Sequence, residues 1–440
     1  MSGYEVVIVG GGVFGLSSAV QLARTNYKVI VIDKFPIPSP LSAANDYNKI
    51  VRLEYNDMVY AELAVEAMGY WNGEDSSLLP ARLLHDCYSH CGRISVVQDP
   101  KTRRYAFDES SLRLLQEKFS RCRDVKEFKD LTCGGKFPQL SDGQRYDIFR
   151  YNPDCGIGFA RESLLKMKRY AESLGVVFQE NDGVVEVEKF RDGSQSVVVR
   201  CESGKRIHGK KVVIACGANT SAILPMQRYV KATGLYVGHV QLSDEEYQKF
   251  KDIPVIFNSS VGYIFPPDAQ TKMIKICTSA MSAYDGKSNG SYPVYRTLEP
   301  HTAPSIPISA AVRIRTVLGK YLPSLVFTSG TQSQLRDIID CKICWVSDTA
   351  NSDFIIDEVP GMSNVYVCCG DSGHAYKFLP NIGKYIQQKL ENKLPEPLAR
   401  KWSFREANWN DAEIEWRVEP TKLAIQDVEW FKESYGHAKL

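Results

Sequence analysis

The sequence predicts an α/β fold: a discontinuous domain built on a mixed sheet, with an α+β domain inserted in it. Three observations predict it. An unbroken apolar run, a glycine-rich turn and an amphipathic segment open the chain as a strand–turn–helix unit. Buried-strand patterns of the same kind return only after long intervals, at Lys211–Ala215 and Val365–Cys369. Between about 225 and 340 the texture changes to short strands with many Pro and Tyr.

The elements follow in order. Tyr4–Val9 reads as a buried parallel strand and feeds Gly10-Gly11-Gly12-Val13-Phe14-Gly15. Leu16 to Arg24 has helical apolar spacing, and Lys28–Ile32 is a second strand that ends in Asp33. Pro36, Pro38 and Pro40 then close this βαβ unit. Asp154 to Gly158 reads as a turn before an amphipathic helix over Glu162–Ser173. Val176–Phe178, Val184–Val187, Ser196–Arg200 and Lys211–Ala215 are further strands, the last two around a polar hairpin. Val365–Cys369 is a late buried strand and Ile382–Leu390 a late helix. No internal repeat or low-complexity segment interrupts the chain.

Composition excludes several classes. A chain of 440 residues suits two or three domains. With 44% hydrophobic and 24% charged residues it is neither disordered nor a coiled coil. Lys+Arg 54 against Asp+Glu 52 leaves net +2, which offers no electrostatic case for nucleic acid or an acidic membrane. No run reaches the ~18 apolar residues of a membrane span, since glycines break Val6–Leu22. The start lacks the basic segment of a signal peptide, so the 12 cysteines read as reduced thiols of an intracellular protein. Ala438-Lys439-Leu440 is a close variant of the Ser-Lys-Leu peroxisomal address. The expectation is peroxisomal residence with the import receptor as a partner; the alternative is the cytoplasm.

The glycine motif carries the first chemistry. Gly10, Gly12 and Gly15 let the backbone turn tightly and approach a pyrophosphate, with Val13 and Phe14 opening the helix whose N-terminus attracts it. Asp33 stands where an acid hydrogen-bonds an adenosine ribose. The domain is therefore Rossmann-like and binds a dinucleotide; NAD and FAD both satisfy the motif. Lys211–Ala215 with Cys216-Gly217 is similar to the second strand-plus-glycine element of two-dinucleotide-fold flavoproteins.

Cysteine and histidine clusters are weaker signals. Cys341-x-x-Cys344 suits thioredoxin chemistry, half a zinc site or buried thiols, and its setting is strand-like. His85, Cys87, His90 and Cys91 have ligand chemistry but read as a chance cluster, so no metal is expected. No G-x-S-x-G elbow or H-E-x-x-H is present, which removes hydrolase and zinc-protease readings.

Together the motifs resemble the monomeric sarcosine oxidase family of FAD amine oxidases, above all its fungal fructosyl amino acid oxidase branch, which includes saccharopine and pipecolate oxidases. The resemblance runs through the glycine motif, the loop Asn45–Ile50, His239-Val240-Gln241-Leu242 and Ile274-Lys275-Ile276-Cys277. It continues in Ile343-Cys344-Trp345 with Asp348-Thr349, and in Gly370-Asp371-Ser372-Gly373-His374-Ala375-Tyr376-Lys377.

The resemblance implies FAD joined to the Cys344 sulfur by a thioether, and Lys275 above the flavin ring where oxygen is activated. It adds Asn48, Lys49, Val184, Gly217, Ser372, Gly373 and Lys377 to the cofactor site. It implies that Arg52 and Lys377 clamp a substrate carboxylate, as a guanidinium fork and a point charge can. The reaction implied is oxidation of a secondary amino acid at its C–N bond to an imine that hydrolyses, with O2 reduced to H2O2. Fructosyl-specific relatives carry an Asp-Glu pair where this chain has Thr278-Ser279. That favours saccharopine or pipecolate over a fructosyl amino acid, which stays the alternative beside a flavin dehydrogenase or electron-transfer flavoprotein. Arg417 and Lys272 are candidates for a second carboxylate, and Trp409, Trp416 and Arg417 for either a cap or packing. A monomer is implied. The FAD domain is expected over 1-83, 152-222 and 340-440, and the substrate domain over 84-151 and 223-339.

Overall fold

The computed structural model describes residues 3–144, 147–189, 196–294, 306–328, 334–406, 409 and 421–431. The opening apolar run forms the strand Tyr4–Val9, central in an eight-stranded mixed sheet. It pairs in parallel with Val29–Ile32 on one side and Arg206–Ile214 on the other. Val177–Gln179 and Val365–Cys369 extend the parallel part. Ile355–Glu358 and the hairpin of Val184–Lys189 and Val197–Cys201 add antiparallel edges. The run is apolar throughout because both faces are covered. Val6 and Ile8 pack into the helical layer, while Val7 and Val9 pack beneath the hairpin side.

The first helix spans Val13–Arg24 rather than Leu16–Arg24, because Gly12, in extended conformation, already serves as its N-cap. It packs against Ala160–Ser173 and Ile382–Leu390. A Cβ on Gly383 would lie 2.1 Å from the Ser17 carbonyl oxygen, so glycine sets that helix spacing. The late strand and late helix keep their predicted bounds. The predicted Lys211–Ala215 is the end of the longer strand Arg206–Ile214.

A second, ten-stranded sheet carries Lys231–Gln241 near its centre. Ile339–Asp348 lies antiparallel beside it, with Cys344 opposite Leu235. Met273–Thr278 flanks it too, with Lys275 opposite His239. Helix Ile308–Tyr321 covers this sheet through Ile314, Val317 and Leu318. The third sheet is small: Asn48–Val51, Gly156–Phe159 and Tyr88–Ser89. It corrects the turn expected at Asp154–Gly158 and the loop expected at Asn45–Ile50, whose ends pair as strands with Asn48 opposite Phe159. Runs this short have no readable period; the pairing across the chain makes them strands. The architecture is α/β with mixed sheets, as the sequence predicts.

Candidate active site

One cavity of about 610 Å³ runs from the glycine turn to the second sheet. At its first end the backbone is tightly packed. Gly10 has φ +101°, and a Cβ there would lie 2.5 Å from the Ala215 carbonyl oxygen. A Cβ on Gly15 would lie 1.9 Å from the Gly10 carbonyl, which makes this glycine a packing requirement; it is not on the cavity wall. Gly12 has nothing within 4 Å of its Cβ position and faces the cavity with Val13 and Phe14. Asp33 Oδ2 accepts the Gly11 N–H at 2.8 Å and its Oδ1 accepts the Phe35 N–H at 3.0 Å. Burial raises the Asp33 pKa, and these N–H donors pull it back. Val184 and Gly217 line the same end.

Further along, Lys49, Lys275, Cys344, Ser372 and Gly373 reach the wall. Lys275 is 1% exposed, buried in the strand Met273–Thr278. Its amine donates to Asp46 Oδ2 and to the Asn48 carbonyl, both at 2.6 Å. Asn48 is not on the wall and contributes that backbone oxygen. Cys341 and Cys344, three apart on one strand, face opposite ways. Cys341 packs into the core under helix Ile308–Tyr321, and Cys344 packs with Cys277 and Phe265 at the cavity. A paired dithiol is therefore excluded by strand geometry.

The far end is cationic. Arg52 and Lys377 both lie on the Tyr55 ring, 4.7 and 5.2 Å from its centroid. Arg52 donates to the Glu54 carbonyl, and Lys377 to Tyr55 Oη at 2.8 Å and the His374 carbonyl at 2.6 Å. Neither pairs with a carboxylate among the described residues. Burial and Arg52 hold the Lys377 amine well below the usual lysine range. Sequence reasoning missed Arg93 and Arg104, which also line the cavity and lie 5.5 and 5.4 Å from the Phe257 centroid. Arg93 is paired with Glu54 at 2.8 Å and Arg104 with Asp108 at 2.6 Å. No motif marks them; they come from the strand Arg93–Val96, inside the second sheet, and the helix Arg103–Phe119.

Other candidates lie elsewhere. Lys272 corrects its assignment as a second-carboxylate residue: it is off the cavity and paired with Asp244 at 2.5 Å. Arg417, Trp416 and Ala438–Leu440 lie outside the described residues. Trp409 packs under the Lys231 amine, 4.8 Å from the ring centroid. Among the described residues no group of three or more His, Cys, Asp or Glu side chains is placed to hold a metal.

The cradle fits a dinucleotide. It offers an open glycine at a helix N-terminus, an acid at the next strand end, and a cavity continuous with Lys275 and Cys344. Thr278 Oγ1 and Ser259 Oγ, buried on the same wall, have no hydrogen-bond partner among the described residues. This fold and site define a dinucleotide-dependent redox enzyme. The chain belongs to the FAD dependent oxidoreductase family, which matches residues 5–389. It is 35% identical to the L-saccharopine oxidase of Schizosaccharomyces pombe over 97% of this chain and 98% of that protein. It is 23% identical to a monomeric sarcosine oxidase of a Bacillus species, over 88% and 91%. The fructosyl peptide oxidase of E. terrenum shares the fold, with a TM-score of 0.83 at 23% identity over 97% and 98%.

Proposed function

We propose that this FAD-dependent oxidoreductase oxidises the C–N bond of a secondary amino acid of the saccharopine type, with O2 as electron acceptor. The observation that carries the reading is the pair Arg52 and Lys377: a half-buried guanidinium and a buried amine on one tyrosine ring, facing the cavity and in no salt bridge among the described residues. Such a pair is stabilised by an incoming carboxylate, which fixes an amino acid by one end. Arg93 and Arg104 beside Phe257 line the same cavity, each already paired with a carboxylate, Glu54 and Asp108. The likeness to an L-saccharopine oxidase supports the same choice. Thr278 and Ser279, also on the wall, supply hydroxyls and no acid, which weakens the fructosyl alternative.

FAD, held by the glycine turn, Asp33 and the Lys49 and Ser372–Gly373 wall, supplies the two-electron chemistry between the amine carbon and O2. The residues do the rest. Arg52 and Lys377 orient the substrate so that the carbon beside nitrogen faces the cofactor. Lys275, on a dry wall, offers a positive charge where O2 becomes negative on its way to H2O2. Cys344 reaches the cavity from its strand and is the proposed covalent anchor. Residence in the peroxisome is proposed from the Ala438–Leu440 tail together with peroxide formation; a fluorescent fusion that is diffuse with its tail intact overturns it.

A peroxide-coupled assay across saccharopine, L-pipecolate, sarcosine and fructosyl-glycine tests the substrate. Saccharopine is expected to show the highest kcat/KM. A highest value for fructosyl-glycine overturns the reading, and turnover with an artificial acceptor but not O2 replaces the oxidase by a dehydrogenase.

A further inference from the structure

One buried carboxylate stands among three lysine amines, two of which, Lys49 and Lys275, line the cavity. Asp46 Oδ2 lies 2.6 Å from Lys275 Nζ and 3.0 Å from Lys49 Nζ, and its Oδ1 lies 3.3 Å from Lys342 Nζ. The Asp46 side chain is 0% exposed. The lysines come from three different strands, Asn48–Val51, Met273–Thr278 and Ile339–Asp348. A single carboxylate cannot neutralise three ammonium groups, so each amine's hold on its proton depends on the others.

We propose that Asp46 and Lys342 together set the charge on Lys275, Asp46 keeping its amine protonated and Lys342 opposing it. Both are then positioning residues for oxygen reactivity, a role that rests on the reading of Lys275 as the oxygen-facing cation. Three contacts favour the charged amine: the bonds to Asp46 and Asn48, and the Phe265 ring 4.3 Å away. Burial, Lys49 and Lys342 oppose them, and the balance leaves Lys275 below the usual lysine range. Lys342 is different. Its side chain is 32% exposed and donates to the Asn45 carbonyl at 3.0 Å, so its own charge is secure while its field reaches Asp46.

The remaining groups around Lys275 stay neutral near pH 7. Burial pushes the thiol of Cys277, on the same strand, up to about 11 and raises the Tyr263 hydroxyl from the neighbouring strand. Burial also disfavours charge on His239, which pairs with Lys275 across the sheet and bonds the Asp340 carbonyl through Nδ1 at 3.0 Å. The charged groups that decide the matter are therefore Asp46, Lys49 and Lys342.

The test titrates Lys275 directly. Holoenzyme carrying [ε-13C]lysine is followed by NMR, with the Lys275 signal assigned by its loss in Lys275→Met. Lys342→Met is expected to move the Lys275 titration to higher pH, and Lys342→Glu further still. Asp46→Asn is expected to move it to lower pH, each step by about 1 pH unit or more. Flavin reoxidation in stopped flow, which needs the ammonium, is expected to fall with rising pH along limbs displaced the same way. A structural role would not produce shifts of opposite sign. An unmoved or lowered midpoint in both Lys342 variants overturns the proposal even where Asp46→Asn does not fold. Shifted NMR midpoints with reoxidation unaffected by Lys275→Met overturn the oxygen role while leaving the charge coupling in place.

Discussion

Lys377 Nζ donates to Tyr55 Oη at 2.8 Å, although 322 positions separate the two residues in the chain. Tyr55 Oη also lies 2.8 Å from His374 Nδ1, and His374 Nε2 lies 3.0 Å from the Ser352 carbonyl. The directions follow. The carbonyl can only accept, so Nε2 carries a proton, and in the neutral ring Nδ1 then accepts from the tyrosine hydroxyl. With the neutral ring, Tyr55 spends its proton on His374 and presents a lone pair to Lys377. Lys377 is aimed by a chain that ends on a backbone oxygen.

Tyr55→Phe removes the acceptor of one Lys377 hydrogen bond and keeps the ring beneath both cations. The KM for the best amino-acid substrate is expected to rise about 3- to 10-fold, the range of one neutral hydrogen bond. Steady-state kinetics check it, and an unchanged KM would show that Lys377 needs no such support.

Arg52→Ala removes the guanidinium fork of the proposed carboxylate clamp. Loss of a charge-assisted hydrogen bond is expected to raise KM about 10- to 100-fold. The change in kcat is expected to be smaller, because the carboxylate is bound before and during the reaction. A fall confined to kcat would place Arg52 in the chemistry instead of the clamp.

Cys344→Ala is expected to give folded protein whose yellow colour passes to the supernatant on acid precipitation. The unaltered chain is expected to keep it in the pellet, with the flavin mass on the Cys344 tryptic peptide. Colour released from the unaltered protein would refute covalent attachment.

Glu54 carries a pH prediction. Burial pushes its carboxyl up, but Arg93 and then Arg52 outweigh burial and bring it down from 4.5 to about 2. A depressed folded value contributes stability that is full above pH 4.5 and lost as pH falls toward 2. Glu54→Gln is expected to flatten the acid limb of a urea-denaturation profile in that window. At pH 7 it is expected to cost about 3–5 kcal/mol, because Arg93 stays buried without its partner. An unaltered acid limb would assign that stability to other carboxylates.

Gly15→Ala puts a methyl against the Gly10 carbonyl oxygen, 1.9 Å from the Cβ position. The helix must withdraw from the turn, at a cost of about 1–3 kcal/mol. A lower Tm and reduced flavin content on purification are expected, and full flavin content would show that the turn can yield.

The legible parts were those whose signal is local. Tyr4–Val9, Val365–Cys369 and Ile382–Leu390 show in their own side chains, since a strand covered on both faces is apolar throughout and a half-buried helix repeats its apolar stripe. Asn48–Val51 and Gly156–Phe159 were not legible, because each is a strand only through the other.

By itself the sequence determined the dinucleotide turn, Asp33, the α/β class and, by resemblance, the FAD oxidoreductase family. These rest on residue types at short spacing, where backbone sterics leave few choices. Tertiary structure alone decided that Asp46 gathers Lys49, Lys275 and Lys342, that Tyr55 joins Arg52 to Lys377, and that Arg93 and Arg104 reach the same cavity as that pair. It also removed Lys272 from the site. The physical reason is that charges act through space. A lysine on an edge and a lysine in a dry wall look the same in a sequence, and only the fold says which carboxylate each one meets.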